Sequence, residues 1–333
     1  MLRIFAVAGC GIVFILLILV VYVAISPKPF LLWLRRRFSG EADLKYPVCE
    51  EELRKSVVVE RDRIYPSERE NNRYDLYLPI SSEKCPLIFW IHGGAFVGGG
   101  KEGVKNWGMM LASKGYAVAA PDYAYVPEIT YPGQVKQMQE CLRELIRRAE
   151  EEKDFPVDAN RIFLAGDSAG AHIAAQCALL TVNPVFAEKI GLSSALEPDS
   201  LRGTMFFCGA YDVQAFLTIE QKVARMFVEK IGIGMFGTRK WRDHPLLGTT
   251  TIKNYVTEDF PPCFLTDGNM GSFESQAREL EEALARCHVK VTGLFFPPEE
   301  GSCGHEYQYD LTSLQGRRCW EESMRFLKEN SEK

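Results

Sequence analysis

Gly166-Asp167-Ser168-Ala169-Gly170 closes the apolar run RIFLA and opens the apolar stretch AHIAAQCALL. A strand that turns sharply into a helix here forces the serine into strained backbone. Side chains two residues to either side would then collide with the neighbouring helix and strand. Glycines remove those collisions, which is the physical content of the G-x-S-x-G pattern. The hydroxyl is left exposed at a helix N-terminus, where the dipole favours developing negative charge. Such a serine is placed to attack a carbonyl carbon. The pentapeptide alone serves equally well as a capped helix start between turn glycines.

A second strand end separates the two readings. His92-Gly93-Gly94-Ala95-Phe96 follows the apolar run LIFWI. An acyl-transfer transition state carries an oxyanion that needs two or three aimed N–H donors. Small residues let backbone approach that closely, and Gly93, Gly94 and the amide of Ala169 are the expected donors. A serine hydroxyl at its ordinary pKa also needs a histidine base. Of the five histidines, His92 sits in the glycine loop and His172 lies one helical turn past the serine. His288 ends a helix and His244 falls in an irregular stretch. Only His305, in GSCGHEYQYDL, lies between the last strand and the last helix, the position of the base in a Ser…acid…His chain order.

The elements that must position these groups can be read from periodicity. SVVVERDRIYP and RYDLYLPI alternate with period two and predict an antiparallel pair of strands. PLIFWI, YAVAA, RIFLA, LRGTMFF, PPCFLT and VTGLFF are short apolar runs, as buried strands would be. Helical spacing of Val135, Met138, Leu142, Leu145 and Ala149 predicts a helix over 134–150, and others are expected over 274–287 and 311–329. Alternating strands and helices mean α/β architecture: a mostly parallel eight-stranded sheet with helices on both faces. In such a sheet ligands bind beyond the carboxyl ends of the strands, where Ser168, His92-Gly93-Gly94 and His305 all fall. Residues 213–250, with GIGMFGTRKWRDHPLLG, interrupt the alternation and read as an inserted lid within a hydrolytic domain spanning 56–330.

Taken together, HGGAF, DYAYVPE, GDSAG and the late Gly-His-Glu resemble the hormone-sensitive-lipase-like and feruloyl-esterase-like branches of the α/β-hydrolases, from about residue 70 to 327. The resemblance implies an α/β-hydrolase fold and carboxylester hydrolysis, with Ser168 as nucleophile, His305 as base and Gly93, Gly94 and Ala169 around the oxyanion. The third member of the triad departs from the family pattern. Aligning on Phe273 and Gln276 puts Asn269 where the family has an acid. Asp267 is the nearest carboxylate and the expected partner of His305; Asp212 and Glu274 are further candidates. Asp167 is expected to shape the elbow.

The N-terminus differs in kind. Ile4 to Ile25 carries no charge over 22 residues, enough helix to cover the roughly 30 Å hydrocarbon core of a bilayer. The expectation is a transmembrane anchor over 1–26, then a basic amphipathic segment over 27–55. Lys28 and Arg35-Arg36-Arg37 follow the run and only Arg3 precedes it, so the positive-inside rule puts the remainder on the cytoplasmic side. FLLWLRRRF, 30–38, is suited to lie on the membrane face.

Composition narrows the remaining possibilities. The chain of 333 residues has a net charge of −5, which gives no sign of a nucleic-acid surface. Its ten cysteines include no C-x-x-C pair, so neither a zinc site nor a disulfide framework is expected. VGGGKEG lacks the lysine–hydroxyl ending of a phosphate loop, and no metal or organic cofactor is implied. Three functions fit: a membrane-anchored esterase acting on small or lipid-like esters, an amidase or formamidase on the same machinery, and a tethered binding protein that retains a hydrolase fold.

Overall fold

The computed structural model describes residues 22, 26–38, 50–81 and 83–331. Helix α1 (Lys28–Phe38) and the single turn α2 (Glu50–Leu53) precede the sheet. Strands β1 (Val57–Ile64) and β2 (Arg73–Pro79) are followed by β3 (Cys85–Ile91), α3 (Lys105–Ala112), β4 (Ala117–Pro121) and α4 (Gly133–Glu151). Next come β5 (Val157–Asp167), α5 (Ala169–Val182), α6 (Pro184–Ile190), β6 (Leu201–Phe207) and α7 (Lys222–Phe236). The chain finishes with β7 (Cys263–Thr266), α8 (Glu274–Arg286), β8 (Val291–Leu294) and α9 (Leu314–Ser331).

Eight strands form one sheet in the order β1-β2-β4-β3-β5-β6-β7-β8. β2 runs antiparallel to β1 and β4, and the remaining pairs are parallel. This is the mostly parallel sheet the alternating pattern implies. Every residue of β3 is buried, because its continuous apolar run has a core on each face of the sheet. Val135, Met138, Leu142, Leu145 and Ala149 turn one face of α4 onto the sheet, and all five are buried. Helix α9 begins at Leu314, three residues later than its spacing suggests. The Ser313 hydroxyl accepts the Gly316 amide at 2.9 Å and so caps it there.

The expected insertion contains α7, flanked by short 3₁₀ turns. Its glycines have a packing reason. A Cβ on Gly232 would come within 2.5 Å of the Trp241 ring, and one on Gly234 within 2.7 Å of Leu31 in α1. The apolar run 4–25 falls outside the described residues apart from Tyr22, as does the segment 39–49 before α2. Among the described residues no single helix is long and apolar enough to cross a membrane. Helix α5 is apolar all round because it is a core helix, packed on β5 and β6 and against α4 and α6.

Candidate active site

The parallel strands deliver the chemistry-bearing residues to one edge of the sheet. β3 ends at Ile91 before His92, β5 at Asp167 before Ser168, and β7 at Thr266 before Asp267. Ser168 sits between β5 and α5 with a left-handed φ of 50°, a conformation that costs an L-residue free energy and persists only where its surroundings hold it. Its amide donates to Phe207 O at 2.8 Å, which ties the elbow to β6. The flanking glycines are required: a Cβ on Gly166 would lie 2.6 Å from the Gly170 backbone, and one on Gly170 only 2.0 Å from Ile91 O.

His305 reaches the serine from the loop between β8 and α9. Its Nε2 lies 2.9 Å from Ser168 Oγ, and Phe273 packs against the ring at 5.3 Å, edge to face. The other ring nitrogen, Nδ1, is 2.8 Å from Ser272 Oγ, and the Ser272 hydroxyl donates a short hydrogen bond to Asp267 Oδ1. Proton counting fixes the directions. Ser272 has one hydroxyl proton; donating it to the carboxylate leaves its oxygen to accept Nδ1–H. Nε2 is then unprotonated and can accept the Ser168 proton. A serine thus links the expected acid to the base.

Asp267 makes no direct hydrogen bond to His305 and reaches it through Ser272, which modifies the simple triad. It is fully buried, with Oδ1 accepting the Gly268 amide at 2.7 Å as well as the Ser272 hydroxyl. Asn269 occupies the aligned position but serves the loop that carries His305. Its amide donates to Phe296 O at 3.0 Å and Gly301 O at 2.9 Å, and its oxygen accepts the Cys303 amide at 2.9 Å. Asp212 caps the turn after β6 through the Gln214 amide and the Thr251 hydroxyl. Glu274 pairs with Arg278 at 2.9 Å. None of these three contacts the imidazole.

Gly93 also departs from expectation. Its amide donates to Asp167 Oδ2 at 2.9 Å, so it is committed to the elbow and is not aimed at an oxyanion. Trp90 Nε1 donates to the other oxygen of Asp167 at 2.8 Å. Asp167 is therefore an elbow residue, as expected. Glycine is needed at 93 because a Cβ there would lie 2.6 Å from Asp167 Oδ2 and 2.9 Å from Glu306 Oε1. The amides of Gly94 and Ala95 meet no acceptor among the described residues. Gly94 has φ 122° and Ala95 has φ 51°, and a Cβ on Gly94 would strike Gly98 O at 2.1 Å. Ala169 opens α5, where an amide has no intrahelical acceptor. Gly94, Ala95 and Ala169 line the clefts that meet at Ser168, which makes their amides the candidate oxyanion donors; Ala95 is not among those expected from the sequence.

Burial holds the His305 pKa below the ordinary imidazole value of 6.5, opposed by the nearby Asp167 charge. Burial pushes Asp267 up to about 6, opposed by hydrogen bonds from Ser272 and the Gly268 amide. Burial and the Asp167 charge raise Glu306 well above its usual range, which favours its protonated form beside that carboxylate. A neutral imidazole and an ionised Asp267 are both needed for base catalysis, and both are lost as pH falls. The expected kcat/KM is flat above neutrality and declines as pH drops through about 6, with apparent pKa values that belong to the coupled pair. A pH–rate profile with an ester whose leaving group does not titrate there checks this.

Two clefts meet at Ser168. One, of about 310 Å³, is lined by the glycine loop, Asp167, His305, Glu306 and Tyr309. The other, of about 430 Å³, is almost wholly apolar and runs under α7, lined by Phe96, Val213, Phe216, Phe227, Val228 and Ile231.

A mostly parallel eight-stranded sheet whose serine elbow, glycine loop and late histidine meet at the strand ends defines the α/β-hydrolase fold. The chain belongs to the BD-FAE family, whose model matches residues 74–284. It is similar to isoprenylcysteine alpha-carbonyl methylesterase ICME of Arabidopsis thaliana, 37% identical over 126 residues, 38% of this chain and 28% of that protein. Esterase LipC of Mycobacterium tuberculosis is 25% identical over 262 residues, 77% of this chain and 62% of its own length. The chain therefore spans less than two thirds of either relative. Among solved structures, esterase B from Lactobacillus rhamnosis superposes with a TM-score of 0.73 at 21% identity, covering 91% of this chain and 92% of that one. At that identity the likeness is one of fold.

Proposed function

We propose that this protein hydrolyses carboxylic esters through an acyl-enzyme intermediate on Ser168. The observation that carries the reading is the 2.9 Å approach of His305 Nε2 to Ser168 Oγ, with Nδ1 held by Ser272 and, behind it, Asp267. Ser168 Oγ attacks the ester carbonyl carbon while His305 takes its proton. The carbonyl π pair moves onto oxygen, and the amides of Gly94, Ala95 and Ala169 stabilise that charge. When the intermediate collapses, the C–O bond to the alcohol breaks and His305 returns the proton to the leaving oxygen. Water, deprotonated by His305, then attacks the acyl-serine, releasing the acid and regenerating the hydroxyl.

The apolar cleft under α7 supports an acyl chain or other hydrocarbon group as one half of the substrate. An ester bearing an isoprenyl group, as in the name of the Arabidopsis relative, is of that chemical class. The apolar run 4–25 supports a membrane anchor, and the basic residues that follow it support a cytoplasmic hydrolase domain.

The test is turnover of p-nitrophenyl esters of increasing acyl length by the full chain in detergent. A burst of nitrophenol stoichiometric with enzyme, and preference for esters longer than acetate, are expected. Intact protein with neither burst nor turnover would overturn the reading. Gly94→Ala should cut kcat by about 10²- to 10³-fold by displacing the oxyanion donors. Steady-state kinetics, alongside thermal unfolding to verify the fold, checks this.

A further inference from the structure

Helix α1 is seated on the lid as part of the roof over Ser168. Leu31 and Leu34 are buried, and Gly234 of α7 admits the Leu31 side chain. Arg35 fixes the helix to the body of the domain: its Nε donates to Val97 O at 2.8 Å and its Nη2 to Val126 O at 3.0 Å. Phe30 joins the two helices, packing at 5.8 Å on Trp33 and edge-on at 6.2 Å on Phe227. Phe227 lines both clefts at the serine. An aromatic ribbon thus runs from the outside of α1 to the nucleophile.

The outward side of this pair is unusually apolar for a surface. Trp33 is 56% exposed, Val223 69% and Met226 48%, and Leu32 is also exposed. Lone exposed apolar residues need no explanation, but a group of four on two packed helices marks an interaction surface. Basic residues accompany them: Arg36 and Arg37 on α1, and Lys222 and Arg225 on α7, are exposed, while Lys28 pairs with Glu128 at 3.9 Å. α1 carries no acidic residue, and Glu229 of α7 is paired with Arg242 at 2.9 Å. Aromatic and aliphatic side chains ringed by cations suit the boundary of an anionic bilayer. The uncharged run 4–25 ends shortly before Lys28 opens α1, so a membrane that held the run would lie near the start of this helix. The apolar cleft opens on the same side, with Gln221 and Val223 at its exposed end and Ala95, Ser168 and Ala169 at its inner end.

We infer that the outward face of α1 and α7 docks on an anionic lipid surface, and that the ester enters the apolar cleft from that surface, hydrocarbon tail first. The inference rests on Ser168 being the nucleophile. It names the substrate class as a tailed carboxylic ester resident in a membrane, and it makes α1 a guide for entry as well as a structural strap.

The 333-residue chain, reconstituted in phosphatidylcholine vesicles with or without phosphatidylserine, is assayed on a long-chain fluorogenic ester dissolved in the bilayer and on soluble p-nitrophenyl acetate. Phosphatidylserine should raise turnover of the bilayer ester and leave the soluble one unchanged. The pair Trp33→Asp with Met226→Asp, and separately Arg36→Glu with Arg37→Glu, should each lower bilayer-ester turnover about tenfold with acetate hydrolysis retained. Equal turnover with and without phosphatidylserine would overturn the inference. So would variants that lower both activities together, or neither. Failure of the wild type on the soluble ester as well would remove the hydrolase reading itself.

Discussion

Replacing Ser168 with alanine lowers kcat/KM for a short p-nitrophenyl ester by about 10⁵- to 10⁶-fold, and His305→Ala costs nearly as much. The two losses are similar because the groups act as one unit: an undeprotonated serine is a poor nucleophile, and an imidazole without the serine has nothing to activate. The double variant should be scarcely worse than either single one. Folding is not the source of the effect. Ser168 contributes no side-chain cap to α5, and the elbow is held by the Ser168 amide on Phe207 O, which alanine keeps. Steady-state kinetics with active-site titration measures the loss, and unfolding curves establish that the variants remain native. Residual activity within tenfold of wild type in Ser168→Ala would assign the nucleophile elsewhere.

The second large effect falls on residues behind the histidine. Ser272→Ala should reduce kcat by about 10²- to 10³-fold with little change in KM. Alanine leaves His305 Nδ1–H without its acceptor at 2.8 Å, so the ring can adopt the other tautomer or turn away. It also strips a hydrogen bond from a carboxylate that is already fully buried. Asp267→Asn keeps an acceptor for the Ser272 hydroxyl but removes the charge that stabilises the imidazolium, and a loss of similar size is expected. Ser272→Thr, which retains the hydroxyl, should recover most of the activity. If Ser272 only packed the loop, its loss would move KM and stability and leave the acid limb of the pH profile in place. A linking role shifts that limb, because the hydrogen bond from Ser272 is the largest of those that oppose the upward push of burial on Asp267.

Ser168 and His305 were legible in the sequence because their positions are dictated by backbone. A residue that must turn a strand into a helix at φ 50° needs small neighbours, and the pattern of glycines records that need. The base follows from chain order once the strands are assigned. The eight strands were legible for a similar reason: buried parallel strands are short continuous apolar runs, and β3 is buried at all seven positions.

What the sequence left open depends on which atoms meet across the fold. The sequence suggests Gly93 as an oxyanion donor because a glycine announces close approach without naming the group that approaches. That group is the paired carboxyl of Asp167 and Glu306. Ala95 was missed because a left-handed φ at a non-glycine residue leaves no compositional mark. Ser272 was missed because nothing in a loop serine says that residues 267 and 305 will flank it. The available signal was a hydroxyl five residues past Asp267, in a segment where the aligned acid is an asparagine. That asparagine has another task, fastening the loop that presents His305.

The account turns on Ser168 being a nucleophile activated by His305, and covalent labelling tests this most directly. Intact protein is treated with an alkyl fluorophosphonate, digested, and the modified peptide located by mass spectrometry. One adduct per chain on Ser168, forming far more slowly in His305→Ala, is the expected outcome. Folded wild-type protein that stays unmodified, or that carries its adduct on another residue, would contradict it.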